Sequence, residues 1–181
     1  MRRALAVGLV LVASLALGGC GLVGSSKSVP PTPTSTIANA LNGLKPVVPS
    51  KLTAASAKKA TVDLANQIDA LVAKTDVVYV DDHSQLVPAT SSSGEYYGVL
   101  RTISVTPGFD PIQQATLMES LLVAAGWKEE DTTSPTGKYL AALSSSTDPS
   151  DAWFLLLGAD ATVPKQPVIT VQLASPDLPK K

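Results

Sequence analysis

His83, the only histidine in a chain of 181 residues, directly follows Asp81-Asp82. A carboxylate beside an imidazole can tune a general base, which would suit a hydrolase using His83 with Asp81 or Asp82. The same groups could contribute to a metal site, but such sites ordinarily take three or four ligands. Neither a second histidine nor a second cysteine is present to complete one. Ser56-Ala57-Lys58-Lys59 has the Ser-x-x-Lys spacing of an acylating serine, yet the Ser-Asp-Asn and Lys-Thr-Gly elements that complete that chemistry are missing. Gly137-Lys138 is no phosphate loop, because Thr132 stands at the required earlier glycine and Tyr139 follows the lysine. No Gly-x-Ser-x-Gly elbow, His-Glu-x-x-His pair or calcium loop occurs. The expectation is a protein without enzymatic activity, metal or cofactor.

Arg101 poses a different question. It falls among Tyr97, Val99, Ile103 and Val105 on the apolar side of an alternating stretch, 96–106. A guanidinium there must find a carboxylate or reach the sheet edge. In a ligand pocket it would be the polar anchor among apolar groups. Arg101, Tyr97 and Trp127 are therefore the candidate ligand-binding residues. Most aromatic side chains in strands serve the core, and one exposed beside the 81–95 segment would instead mark a contact surface.

The N-terminus carries the most specific signal. Met1-Arg2-Arg3 precedes an apolar run from Ala4 to Leu17 and the small pair Gly18-Gly19, the pattern of a secretory signal peptide. The run is shorter than the roughly 20 residues of a membrane-spanning helix. Ala4-Leu5-Ala6 after the arginines favours the general secretory route over twin-arginine export. Leu17-Gly18-Gly19-Cys20 resembles the bacterial lipobox, in which a leucine stands three residues before a cysteine that receives lipid. Cys20 is also the sole cysteine, so no disulfide competes for it. The resemblance implies cleavage before Cys20, acylation of that residue (palmitate among the chains) and display on the outer face of the cell membrane. More than one acyl chain is needed for stable anchoring. Together with the Ala-, Val-, Ser- and Thr-rich composition, residues 1–36 are similar to the small exported lipoproteins of high-GC Gram-positive bacteria.

The chain then divides into a signal peptide (1–19), a lipidated cysteine with a Ser/Thr/Pro-rich tether (20–36) and a globular domain (37–181). The tether cannot bury apolar surface and reads as an extended spacer. With 14 Lys and Arg against 15 Asp and Glu, the chain has no basic footprint for nucleic acid and no patch for anionic lipid. Expected partners are the membrane through Cys20, and an envelope protein, a cell-wall polymer or an apolar ligand for the domain. The implied function is a non-enzymatic binding module, with an apolar-ligand carrier and the His83 hydrolase as alternatives.

Periodicity supplies the elements that would position these residues. Ala57, Ala60, Leu64, Ile68, Leu71 and Val72 form one stripe, predicting a helix over 53–74. Residues 77–80 read as a short strand, followed by a polar connection over 81–95. A long strand spans 96–106. Asp110-Pro111 predicts a helix start, and Gly126 its stop. A hairpin follows, 127–132 with 138–144, then strands at 152–158 and 168–174. Phe154 to Leu157 lacks alternation, which predicts a central strand with cover on both faces. The fold class is α+β: a mostly antiparallel sheet of five or six strands packed by two main helices in a single domain.

Overall fold

The computed structural model describes residues 41–89 and 94–178. The signal peptide, Cys20 and the tether lie outside the described residues. Helix α1 (Ala54–Asp69) starts at a reciprocal cap. The Thr53 hydroxyl accepts from the Ser56 amide at 3.2 Å, and the Ser56 hydroxyl accepts from the Thr53 amide at 2.9 Å. Both would otherwise be orphan donors of the first turn. The helix stops before Lys74. Leu71 and Val72 continue its apolar stripe in a tighter turn, their amides bonding back to Ile68 and Asp69. Helix α2 (Pro111–Ala124) starts as its sequence predicts, with the Asp110 carboxylate accepting from the Ile112 and Gln113 amides at 3.0 Å each. Gly126 closes it at φ +100°, a conformation glycine adopts without a Cβ clash.

Among the described residues, six strands form one sheet: β1 (Val77–Pro88), β2 (Glu95–Val105), β3 (Lys128–Thr133), β4 (Lys138–Ser144), β5 (Phe154–Asp160) and β6 (Val168–Ala174). Their order is β1-β2-β6-β5-β4-β3, and every neighbouring pair is antiparallel. Strands β3 to β6 make a meander. Its last member closes against β2, so the two halves of the domain join through β2–β6 pairing. The α+β class, the antiparallel sheet and the two packing helices are as the sequence predicts.

Helices α1 and α2 lie on one face. α1 packs on β2 and β6, and α2 on β4, β5 and β6. The side chains they cover follow the register across the sheet: Arg101 beside Val171, Val171 beside Leu157, Leu157 beside Ala141. Trp153, Met118, Leu122, Ile68, Leu155 and Ile169 fill the space between the layers and are fully buried. Trp153 Nε1 donates to the Thr61 hydroxyl at 3.1 Å, and that hydroxyl donates to the Ala57 carbonyl at 2.7 Å. The one polar end of the largest core side chain is thereby satisfied within α1.

Two expectations need correction. Residues 81–88 of the expected 81–95 connection are strand and not loop, since β1 runs to Pro88 and pairs in register with β2 from Tyr79 onward, while residues 90–93 lie outside the described residues. The side chains of β1 are largely solvated, so backbone pairing alone makes it a strand and leaves no hydrophobic alternation to read. The Phe154 to Leu157 segment is central in the sheet, but among the described residues helices cover one of its faces only. Leu155 and Leu157 are buried beneath α2, whereas Phe154 and Leu156 point away from both helices.

Candidate binding face

Arg101 sits at the middle of β2 on the helix-covered face and is 6% exposed. Its Nη1 donates to Asp69 Oδ2 at 2.6 Å and to Asn66 Oδ1 at 2.8 Å, both on α1. Its Nε donates to Asp82 Oδ2 at 2.8 Å on the neighbouring β1. The guanidinium thus bolts the C-terminal turn of α1 to the sheet edge. Burial pushes the Asp69 carboxyl above its ordinary value despite the arginine, and Asp69 Oδ1 is buried without a hydrogen bond. Burial also works against ionised Asp82, but hydrogen bonds from Ser84 and Arg101 outweigh it and hold that carboxyl below its ordinary value.

The other candidates are likewise held inside. Tyr97 is 5% exposed, and its amide donates to the Ser175 hydroxyl at 2.9 Å. Trp127 is buried just after α2, where Nε1 donates to the Leu44 carbonyl at 2.7 Å and ties down the segment leading into α1. Tyr97 and Arg101 share a face of β2 four residues apart, while Trp127 belongs to a different corner of the core. None of the four clefts described below gathers the three. His83 lies exposed on β1 with Nε2 3.0 Å from Asp81 Oδ2. Ser84 points to the opposite face, where its hydroxyl donates to Asp82. A neighbouring nucleophile for His83 is therefore not supplied by its own strand. The Ser56 hydroxyl is engaged in the α1 cap and Lys59 pairs with Asp63, so the Ser-x-x-Lys spacing builds a helix start. Among the described residues, no group of three or more His, Cys, Asp or Glu could hold a metal ion. Nor is any described helix long and apolar enough to cross a membrane.

What remains is the sheet face that the helices leave bare. Register places His83, Leu100, Gln172, Leu156, Ala142 and Asp131 in one row across it. The next row holds Asp81, Thr102, Thr170, Gly158, Leu140 and Thr133. Six strands make a surface about 25 Å wide. Its centre is uncharged: Leu100, Leu140, Phe154 and Leu156, each 38–47% exposed, share it with the polar Thr170 and Gln172 of β6. Gly158 leaves a dip there, a cleft of about 370 Å³ walled by Leu140, Leu156, Thr170 and Gln172. At its rim Lys138 Nζ reaches Asp160 Oδ2 at 3.1 Å. Bonds from the Thr162 hydroxyl and amide and from Lys138 hold the Asp160 carboxyl down at about 2. A second cleft of about 420 Å³ lies beside Phe154 and Leu156, lined also by Pro149 and Ser146. A third, of about 530 Å³, adjoins Phe154, Tyr96 and Pro176. A larger one of about 840 Å³ runs along the outer side of α2, but its Asp110 is committed to the helix cap. Arg101, Tyr97 and Trp127 line none of these four.

Sequence reasoning missed Leu140, Phe154 and Leu156 as surface residues. The signal that could have found them is the pair of runs Tyr139-Leu140-Ala141 and Phe154-Leu155-Leu156-Leu157, apolar on both faces with only two helices to provide cover. No protein-family model matches the chain, and comparisons with curated proteins and with solved structures likewise give no match.

Proposed function

We propose that this chain is an exported lipoprotein, anchored to the outer face of the cell membrane through Cys20, whose domain is a non-enzymatic module binding another envelope protein. The observation that carries the binding half is the bare sheet face. An uncharged centre with four exposed apolar side chains, rimmed by Lys138, Asp160, Asp131 and His83, has the anatomy of a protein-contact patch, with solvated charges around a middle that a partner would desolvate. Solvent contact of four large apolar side chains is costly, and covering them returns about 25 cal/mol per Å² of apolar area. Carriage of an apolar ligand has less support, because Trp153, Met118 and their neighbours fill the space between helices and sheet. Anchoring rests on the lipobox resemblance and the lone cysteine.

The test is site-specific photocrosslinking in living cells. A photoreactive residue at Leu156 should give discrete adducts of higher mass. The same residue at Leu117, exposed on α2, should give none of those bands. Matching patterns from both positions, or no adduct from Leu156, would sink the assignment of this face.

A further inference from the structure

We infer that two copies of this chain pair edge to edge, β1 against β1 of a second copy, antiparallel about a two-fold axis at His83. The two edges of the sheet are unlike. β3 is guarded in the usual manner: it is six residues long, carries Lys128, Glu129, Glu130 and Asp131, and is broken by a bulge between Glu129 and Asp131. β1 is twelve residues long, contains neither Lys nor Arg, and pairs regularly with β2 from Tyr79 to Pro88. Every second residue of such an edge turns its N–H and C=O outward for another strand. The two carboxylates that would repel an incoming strand are occupied within the chain, Asp82 by Arg101 and Asp81 by His83.

Opposed residues of an antiparallel pair must point to the same face, which restricts the register to steps of two. Centred on His83, the strand is complementary to itself. Asp82 meets Ser84 of the second copy, Asp81 meets Gln85, Val80 meets Leu86 and Tyr79 meets Val87. The Asp81 carboxylate finds the Gln85 amide as a donor, Asp82 faces an uncharged Ser84, and Val80, Tyr79 and Leu86, which are 39%, 60% and 43% exposed in one chain, find apolar partners. The neighbouring registers are worse. Centring on Asp82 opposes two Asp82 carboxylates, and centring on Ser84 sets Asp82 against Leu86 and Asp81 against Val87. A two-fold perpendicular to the sheet also keeps both bare faces on one side, doubling the platform.

Sedimentation of the full mature chain in detergent, corrected for bound detergent, reads this directly. The wild type should run at twice the chain mass. Leu86→Lys, an exposed position where a lysine is a natural edge guard, should raise the dimer dissociation constant at least tenfold without changing the circular dichroism spectrum. Val80→Glu should do the same independently. The double variant V80E/L86K should restore the dimer, because position 80 of one copy faces position 86 of the other. A monomeric wild type, a dimer that survives Leu86→Lys, or a double variant that stays monomeric would overturn the pairing. Association driven by the acyl chains would betray itself as the second of these.

Discussion

At the scale of single residues the most consequential arrangement is Arg101 with Asp69 and Asp82. One cation answers two carboxylates whose surroundings push them in opposite directions. Asp69 holds its proton more tightly in the folded chain than in the unfolded one, because burial disfavours its charge and Oδ1 has no bond. The stability this raised group contributes is complete below its unfolded value and is lost as pH rises through the folded value. Asp82 has the reverse sign, contributing above its unfolded value and losing that contribution as pH falls through the lowered one. Asp69→Asn deletes the first dependence and leaves the second. Urea-unfolding midpoints taken from about pH 3.5 to about pH 7 should therefore show the wild type losing ground to the variant as pH rises. A wild-type advantage that stays flat or grows would mean that the arginine, not burial, governs Asp69. Arg101 was legible as a misfit on an apolar face. Its partners were not, because Asn66 and Asp69 are more than 30 residues away in sequence and only packing of α1 brings them together.

At the scale of elements, what could be read depended on whether an element owes its existence to side-chain pattern or to pairing. Helix α2 announces itself by Asp110-Pro111 and stops at Gly126, and both signals act locally. Asp110→Ala should cost about 1 kcal/mol, seen as a fall of about 4 °C in Tm, with α2 otherwise intact. No change would mean that Pro111 and tertiary packing alone set the helix start. Strand β1 is the contrary case. Asp-Asp-His-Ser-Gln has neither β-branched content nor alternation, and it is a strand because Gly98 to Thr102 of β2 lie beside it. A strand at the edge needs one neighbour and no burial, so hydrophobic pattern is silent about it. The apolar run of β5 misled in the opposite sense, since interior position in a sheet does not guarantee a second layer. Both departures from local rule fall on surfaces where another molecule could complete the missing half, the β1 edge and the bare face.

At the scale of the whole molecule, a sheet clothed on one side and bare on the other is half of a layered structure, and the proposed anchor would let the chain meet its other half without diffusing freely. Confinement to a surface raises the effective concentration of whatever shares it, so contacts too weak for dilute solution become populated. On the proposed reading, this confinement depends on Cys20. Replacing it by alanine should move the protein from the membrane fraction to the medium or leave it as an uncleaved precursor, while the domain stays folded. Trp127 and Trp153 are the only tryptophans and both are buried, so an unchanged intrinsic-fluorescence maximum distinguishes release from unfolding. Mature Cys20→Ala protein that still sediments with membranes would place the attachment in the domain and refute the anchor. Release together with loss of the Leu156 adducts would instead tie recognition at the bare face to confinement, because the face itself is untouched by the substitution.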